Sequence, residues 1–154
     1  MPRVATAERV DRDALLEFLR PRHRGILMTT RSGGRPQMSP VTCGVDPAGR
    51  IVVSTYPERA KTRNARREPG VSICVLSEEW DGPYVQVDGR ARVLDMPEAL
   101  DGLVDYFRCI SGEHPDWAEY REAMARQGKS LIRVEIEDWG PIATGGFPPH
   151  LVDS

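Results

Sequence analysis

Short apolar runs bounded by turn-forming residues are the sequence feature that most constrains the fold of this chain. Most of these runs are rich in valine, isoleucine and threonine, which is typical of β-strands. The turn sequences Ser32-Gly33-Gly34-Arg35 and Asp46-Pro47-Ala48-Gly49 separate the first three runs and favour tight antiparallel reversals. The pattern predicts an α+β, mainly β fold, in which six strands form an antiparallel barrel with helices at its periphery. The predicted strands occupy residues 25–30, 36–45, 50–55, 70–76, 84–94 and 130–139.

Two of these runs make more specific predictions about the sheet. Residues 84–94 alternate between apolar side chains on one face and polar side chains on the other, as a strand with one buried face does. Gly89 interrupts the alternation and suggests a bulge or a close approach of another backbone. Residues 70–76 are almost continuously apolar, so we expect this strand to lie in the middle of the sheet.

The remaining segments favour helices, within a single domain that spans residues 1–154. Apolar residues recur at helical spacing over residues 6–20 and 97–110, and Asp116-Trp117 begins a shorter helix that ends near Arg126. The first region, residues 1–24, is predicted to be helical. Residues 140–154 are rich in glycine and proline and are predicted to be an irregular tail.

A short basic segment follows the third predicted strand and is predicted to form a helix from Glu58 to about Arg67, because Pro57 suits its first turn and Pro69 cannot continue it. Five of the nine residues from Arg59 to Arg67 are arginine or lysine. Cations at the start of a helix oppose its dipole at a cost of ~0.3–1 kcal/mol each, whereas a bound anion there would reverse the sign. The segment is therefore either an anion site or a solvated basic helix.

Composition excludes several classes of function. The net charge is −2, so the positive charge of the basic segment is local, and any anion site there is local too, with no broad nucleic-acid surface expected. No apolar run approaches a membrane span and the N-terminus lacks the apolar core of a signal peptide, so a cytoplasmic protein without a membrane partner is expected. The three cysteines and three histidines lack the spacing of a disulfide framework or a metal site. Glu113-His114 could transfer protons, but a surface loop that breaks a helix explains the pair more simply.

Three segments together resemble the pyridoxamine phosphate oxidase-like family of split-barrel flavin-binding proteins. They are Arg35-Pro36-Gln37, the string from Arg59 to Asn64 (RAKTRN), and the string from Tyr84 to Ala91 (YVQVDGRA). The string from Gly112 to Trp117 (GEHPDW) resembles the actinobacterial branch of that family, which uses the deazaflavin coenzyme F-420. The similarity extends from about Gly25 to about Val134, whereas the first twenty residues and the tail from Trp139 depart from the family's pattern.

The resemblance implies a homodimer of split barrels with cofactor clefts at its interface. Arg59 and Lys61 would hold the cofactor phosphate, and Arg63 or Arg66 would meet the acidic tail of F-420. Trp80, Tyr84 and Val85 would reach in from the partner subunit. The apolar face of the strand at residues 84–94 is a second reason to expect the dimer. The implied cofactor-binding residues are Arg35, Pro36, Gln37, Ser54, Thr55, Arg59, Ala60, Lys61, Thr62, Arg63, Trp80, Tyr84 and Val85.

The function that the resemblance implies is hydride transfer between F-420 and a small conjugated or aromatic substrate. Such an enzyme mainly positions its two reactants, so few catalytic side chains are needed and none is identified in the sequence. Two alternatives remain open. One is an FMN-dependent oxidase or reductase of the same fold, because a phosphate site serves either cofactor, and the other is a flavin- or deazaflavin-binding protein without turnover.

Overall fold

The computed structural model describes residues 3–152. Strands dominate it, and most helices lie between them in the chain. In chain order the elements are β1 (Thr6–Glu8), α1 (Arg12–Leu19), β2 (Arg24–Thr30), β3 (Pro36–Val45), β4 (Ile51–Thr55), α2 (Ala60–Arg67), β5 (Gly70–Leu76), β6 (Val85–Leu94), α3 (Ala99–Ser111), α4 (Trp117–Gln127), β7 (Ser130–Trp139), β8 (Ile142–Thr144) and α5 (Pro149–Val152).

Six strands form a closed barrel in the order β2-β3-β4-β7-β6-β5, and every neighbouring pair is antiparallel. The predicted fold class is confirmed. Strand β5 lies between β2 and β6, as its continuous apolar run indicated. The strands are predicted well from sequence because each has one face in the barrel core, and that face imposes the apolar pattern.

Gly89 marks an irregularity in the longest strand pairing, that of β6 with β7. The register shifts between Asp88 and Gly89. A Cβ atom on Gly89 would lie 2.3 Å from the carbonyl oxygen of Glu135, closer than any side chain could sit. The prediction of a bulge or a close backbone approach is confirmed, and both occur at this residue.

The apolar face of β6 points into the barrel. Val85 and Val87 have no exposed surface and Ala91 is 7% exposed, and all three belong to the main core. This face therefore cannot contact a second chain, so it was wrong to infer a dimer from it. The dimer itself stays a prediction. The outward residues of β6 are largely polar, as the alternation requires.

Helices α3 and α4 close a second core against the outside of β4, β6 and β7. Val52, Leu94 and Leu131 project outward from those strands and pack with Leu103 and Tyr120. The buried Tyr120 hydroxyl donates a hydrogen bond of 2.8 Å to the Leu103 carbonyl oxygen. The outer face of these three strands is thus occupied, whereas β2, β3 and β5 keep apolar side chains partly or fully exposed on theirs.

The two ends of the chain differ from the predictions. Residues 6–8 were expected to begin the first helix, but they form β1, and α1 starts only at Arg12 after the cap residue Asp11. Residues 142–144 of the expected irregular tail form β8, which pairs with β1, and the Thr6 and Thr144 hydroxyls are 2.7 Å apart. A short helix, α5, follows. The pairing joins residues about as far apart as the chain allows, so no local pattern reveals it.

Membrane spans, metal sites and disulfides were not expected from the sequence, and the described residues bear on all three. Among residues 3–152, no helix combines the length and apolar content needed to cross a bilayer. In the same residues, no group of three or more histidine, cysteine or acidic side chains could hold a metal ion. Cys43 is buried, Cys74 and Cys109 are partly buried, and all three are free thiols.

Candidate functional site

The N-terminus of α2 is open to a ligand. Its cap residue, Arg59, has extended backbone angles and makes no capping hydrogen bond with its side chain, and the first turn contains no acidic residue. Within the described part of the chain, the backbone N–H groups of Ala60 and Lys61 donate to no backbone acceptor. Free N–H groups at a helix start, with cations beside them, form an arrangement that favours a bound anion.

The buried face of α2 fixes the helix on the barrel. The hydroxyls of Thr62 and Thr55 lie 2.9 Å apart, and both residues are buried. Ala65 is 1% exposed and belongs to the main core. The hydroxyls of Thr55 and Thr62 therefore bond to each other. Thr62 has no exposed surface, and its backbone N–H donates to the Arg59 carbonyl oxygen at 3.1 Å, so Thr62 offers no free donor to a ligand at the helix start.

A chain of hydrogen bonds links α2 to the first hairpin of the barrel. The buried Thr29 hydroxyl donates to Gln37 Oε1 at 2.9 Å and accepts from Asn64 Nδ2 at 3.1 Å. Arg67 donates to Asn64 Oδ1 at 2.9 Å and to the Thr30 carbonyl oxygen at 3.0 Å. Asn64 is thus the residue through which the helix, both strands and one cation are connected.

We expect Asn64→Ala to lower the free energy of unfolding by ~1–3 kcal/mol, because it leaves the buried Thr29 hydroxyl without a donor and removes the acceptor of Arg67. Denaturant unfolding measures the change. Arg63→Ala on the exposed face of the same helix is the control, and its effect should stay within ~0.5 kcal/mol. Equal stability of Asn64→Ala and the wild type would contradict a structural role for this network.

The hairpin and α2 enclose a cavity of about 360 Å³ that we call the basic cavity. Arg31 and Arg35 flank the hairpin turn and are held together by a backbone hydrogen bond of 2.8 Å. Among the described residues, Arg31, Arg35 and Arg63 form no ion pair with an acidic side chain, so their charges are available to a ligand. The cavity is lined by Arg31, Ser32, Gln37, Ala60, Arg63, Asn64 and Arg67.

A second cavity, of about 480 Å³, lies at the start of α2 and is lined by Tyr56, Glu58 and Arg59. Lys129 Nζ lies 4.3 Å from the centre of the Tyr56 ring, and the Arg59 guanidinium carbon lies 5.7 Å from it. Lys61 is half-buried beside them. The pKa of Lys61 is lowered from its ordinary value, mainly by burial and to a smaller extent by the charge of Arg59. Three cations, Arg59, Lys61 and Lys129, therefore lie near the start of α2, where Glu58 is the acidic residue that lines the cavity.

The sequence-predicted site residues separate into two groups. Gln37, Ala60 and Arg63 line the basic cavity, Arg35 and Pro36 adjoin it at the hairpin, and Ser54, Thr55, Arg59, Lys61 and Thr62 lie on the end of β4 and the start of α2. The other group, which we call the Trp80 group, follows the C-terminal end of β5 and consists of Trp80, Tyr84 and Val85.

The two groups lie at opposite ends of the barrel strands. On β2, Thr29 pairs with Gln37, whereas Arg24 pairs with Leu76, the last residue of β5 before the Trp80 loop. These five steps of strand span about 17 Å. Trp80 and Tyr84 are exposed, but Val85 has no exposed surface and its backbone pairs with Val75 of β5, so a ligand in this position meets Trp80 and Tyr84 and does not reach Val85.

Sequence reasoning missed several residues that the structure brings to this site. Arg31, Ser32, Asn64 and Arg67 line the basic cavity, and Lys129 approaches Tyr56. The antiparallel hairpin could have predicted Arg31, because the residue before a tight turn faces the residue after it.

Arg66, one of the two residues expected to meet an acidic cofactor tail, is already paired. Its Nη2 lies 2.7 Å from Asp95 Oδ2. Hydrogen bonds from Arg66 and then from Ser130 lower the pKa of Asp95, which keeps that carboxylate charged. Of Arg63 and Arg66, therefore, Arg63 is the one whose charge is available to an acidic cofactor tail.

The GEHPDW string forms the junction of α3 and α4. Glu113 accepts hydrogen bonds from Trp117 Nε1 at 2.9 Å and Arg108 Nε at 2.7 Å, and these bonds lower the pKa of its carboxyl group. His114 Nδ1 accepts from the Asp116 N–H, and its ring lies 5.0 Å from that of Phe107. The GEHPDW string thus forms the loop that ends α3 and leads into α4, as predicted when Glu113-His114 was interpreted as part of a surface loop that breaks a helix.

The arrangement can bind an anion with more than one charged group. Among the described residues, several cations without ion-pair partners lie on the hairpin and around the start of α2, near the two free N–H groups of Ala60 and Lys61. Arginine and lysine with backbone N–H groups form the donor set that phosphate and carboxylate groups require. The residues present therefore fit a phosphate-bearing cofactor with further acidic groups.

Comparison with known proteins places the fold in a known family. The family model described as pyridoxamine 5'-phosphate oxidase matches residues 11–143. A conserved hypothetical protein from Mycobacterium tuberculosis is 22% identical over 89% of both chains, with a TM-score of 0.72. An F-420 reductase is 20% identical over 80% of this chain and 94% of its own, with a TM-score of 0.59. A heme binding protein from Mycobacterium smegmatis is 19% identical over 85% of this chain and 53% of its own, with a TM-score of 0.63. At these identities the three structures show a shared fold.

Proposed function

The chain belongs to the pyridoxamine 5'-phosphate oxidase family, and on this basis we propose that it is an F-420-dependent oxidoreductase. When bound, the reduced coenzyme supplies a hydride to a small conjugated or aromatic substrate. The observation that carries the proposal is the excess of cations without acidic partners around the start of α2. About two cations suffice to bind a single phosphate. The additional cations could bind the acidic tail that F-420 carries beyond its phosphate.

The residues of the chain have binding and positioning roles in this proposal. The free N–H groups of Ala60 and Lys61, with the side chains of Lys61 and Arg59, hold the phosphate. Arg63 and Arg31 in the basic cavity meet the carboxylates of the tail. Gln37, fixed by its bond with Thr29, contacts the edge of the ring system with Arg35 and Pro36. Holding donor and acceptor in one geometry can lower the barrier of such a reaction by as much as ~7–11 kcal/mol.

We further propose that the protein is a homodimer. Its support is an apolar outer face on β2, β3 and β5 that includes Met38, Pro40, Ile26 and Met28. Met38 is 65% exposed and lies opposite Met28, and Pro40 lies opposite Ile26. Pairing two such faces would bury them, and it would bring the Trp80 group of one chain toward the basic cavity of the other.

We expect F-420 to bind more tightly than FMN, because FMN carries the phosphate without the acidic tail. Fluorescence titrations of both cofactors at equal salt concentration measure the difference. FMN binding tenfold tighter, or ~1.4 kcal/mol, would favour the FMN-dependent alternative and overturn the proposal.

A salt series and a turnover assay complete the test. The preference for F-420 should narrow as salt is raised, because it arises from charges near the surface. A protein that binds reduced F-420 tightly yet never oxidises it with any conjugated acceptor would instead be a binding protein without turnover.

A further inference from the structure

A cavity of about 420 Å³ lies beside Trp80, at the end of the barrel strands away from α2. We call it the Trp80 cavity. Its volume is in the range of small-molecule sites, which is roughly 300–1,000 Å³. Its lining includes Cys74, Leu76, Trp80, Asp81, Tyr84 and Gly145.

The loop that carries Trp80 is held at several points although the Trp80 side chain is 91% exposed. Arg3 donates to the Asp81 carbonyl oxygen, and its guanidinium lies 3.3 Å from Asp81 Oδ2. Within the loop, the Ser77 hydroxyl accepts from Arg22 Nε at 3.1 Å and donates to the Pro83 carbonyl oxygen at 2.5 Å. Because these contacts already hold the loop in place, a ligand can contact the exposed Trp80 indole without first having to order the loop.

The paired chain ends hold the opposite wall. Tyr84 and Ala143 exchange two backbone hydrogen bonds, of 2.9 and 3.0 Å. Ala143 lies on β8, which pairs with β1, and the chain continues directly to Gly145 at the cavity. The position of Tyr84, which is 41% exposed, is therefore set by the two ends of the chain.

The chemistry of the lining selects the ligand. Trp80 and Tyr84 offer two aromatic rings, and Leu76 and Cys74 add apolar surface. The Asp81 carboxylate is paired with Arg3, so the lining offers no uncompensated charge. Aromatic rings bind flat apolar surfaces by stacking or edge contacts. We propose that the Trp80 cavity binds a neutral, planar, largely apolar molecule, and, resting on the proposed function, that this molecule is the hydride acceptor.

The experiment is an equilibrium titration of the full chain with N-phenyl-1-naphthylamine, a neutral aromatic probe that fluoresces in apolar surroundings. The expected dissociation constant is on the order of 10 μM. Two variants disable the cavity without loss of core packing. Trp80→Ala removes an exposed wall, and Gly145→Leu fills a position where a Cβ atom meets nothing within 4 Å. Each should weaken probe binding about tenfold or more.

Gly140→Leu is the matched control, since Gly140 lies in the same tail, has equally open space and lines a different cavity. It should bind the probe as the wild type does. Probe binding that is absent in the wild type, or unchanged in both cavity variants, would overturn the inference. F-420 binding is titrated on the same samples with Lys61→Ala alongside. If the probe binds as expected while F-420 does not bind the wild type, the proposed function fails and the cavity assignment stands.

Discussion

Replacing Lys61 with alanine is expected to weaken F-420 binding ten- to a hundredfold, and Arg59→Ala should do the same. Each variant removes a charge-assisted contact worth ~1.5–3 kcal/mol from an anion held at the start of α2. The free N–H groups of Ala60 and Lys61 remain in both variants, so binding should weaken without disappearing. Equilibrium titration followed by fluorescence measures the change.

Lys61→Ala should leave the apo protein as stable as the wild type or slightly more stable. The pKa of Lys61 is lowered in the folded state, so at neutral pH the folded protein carries a charge that the unfolded chain accommodates better. That penalty is fully present below the lowered pKa and is lost as pH rises from there to 10.5, the ordinary value. Wild-type stability should therefore rise across this window relative to that of the variant.

The control for both variants is Arg126→Ala, on the exposed side of α4. Arg126 lies 3.7 Å from Glu122 in an exposed pair, so its removal changes the net charge equally without touching the site. Arg67 is unsuitable as a control because it lines the basic cavity. Unchanged F-420 affinity in both Lys61→Ala and Arg59→Ala would show that α2 is a solvated basic helix.

The barrel strands could be predicted from sequence because burial on one face leaves a pattern in the residues themselves. The bounds of β3, β5 and β7 agree with the prediction to the residue. The basic helix was predictable in part, since Pro69 limits its C-terminal end and its cations are adjacent in sequence. It begins at Ala60, two residues after the predicted start, because Pro57 and Glu58 form a turn before the cap residue Arg59. What each cation contacts was not predictable. Arg66 and Arg67 are neighbours, yet one pairs with Asp95 and the other lines the basic cavity.

The rest of the site depends on contacts between distant segments. Asn64 looks like one polar residue among cations, and its role follows only from the position of Thr29 on another element. The pairing of β1 with β8 likewise joins the two chain ends, and both strands are only three residues long. Strands this short carry too little alternation to be recognised, so the walls of the Trp80 cavity could not be foreseen.

The separation of the two groups of site residues bears directly on assembly. Trp80 and Tyr84 lie about 17 Å of strand away from the hairpin that borders the basic cavity. One chain therefore cannot bring both groups to one cofactor ring. In the proposed dimer a second copy packs against the outer face of β2, β3 and β5 and supplies its own Trp80 and Tyr84, which makes this face the place to test the dimer.

Met38→Asp is expected to convert the proposed dimer to a monomer. Met38 is 65% exposed in the single chain, so the substitution should change the free energy of unfolding of that chain by only ~0.5 kcal/mol. In a dimer the same side chain would be covered, and an unpaired carboxylate buried in an apolar interface costs several kcal/mol. Light scattering should show a change from twice 17.2 kDa to 17.2 kDa. F-420 affinity should fall in parallel, because the Trp80 group of the second chain no longer reaches the cofactor.

Ala118→Asp provides the comparison, because it adds the same charge at an exposed position in the first turn of α4, where the helix dipole favours it. It should remain dimeric with unchanged F-420 affinity. A wild-type mass of 17.2 kDa together with full F-420 affinity would contradict the dimer, since the basic cavity and α2 alone would then suffice for binding. A Met38→Asp protein that stays dimeric would instead place the interface on another face. The Trp80 group would then have to be brought to the cofactor from a different direction, because its distance from the basic cavity within one chain is fixed by β2 and β5.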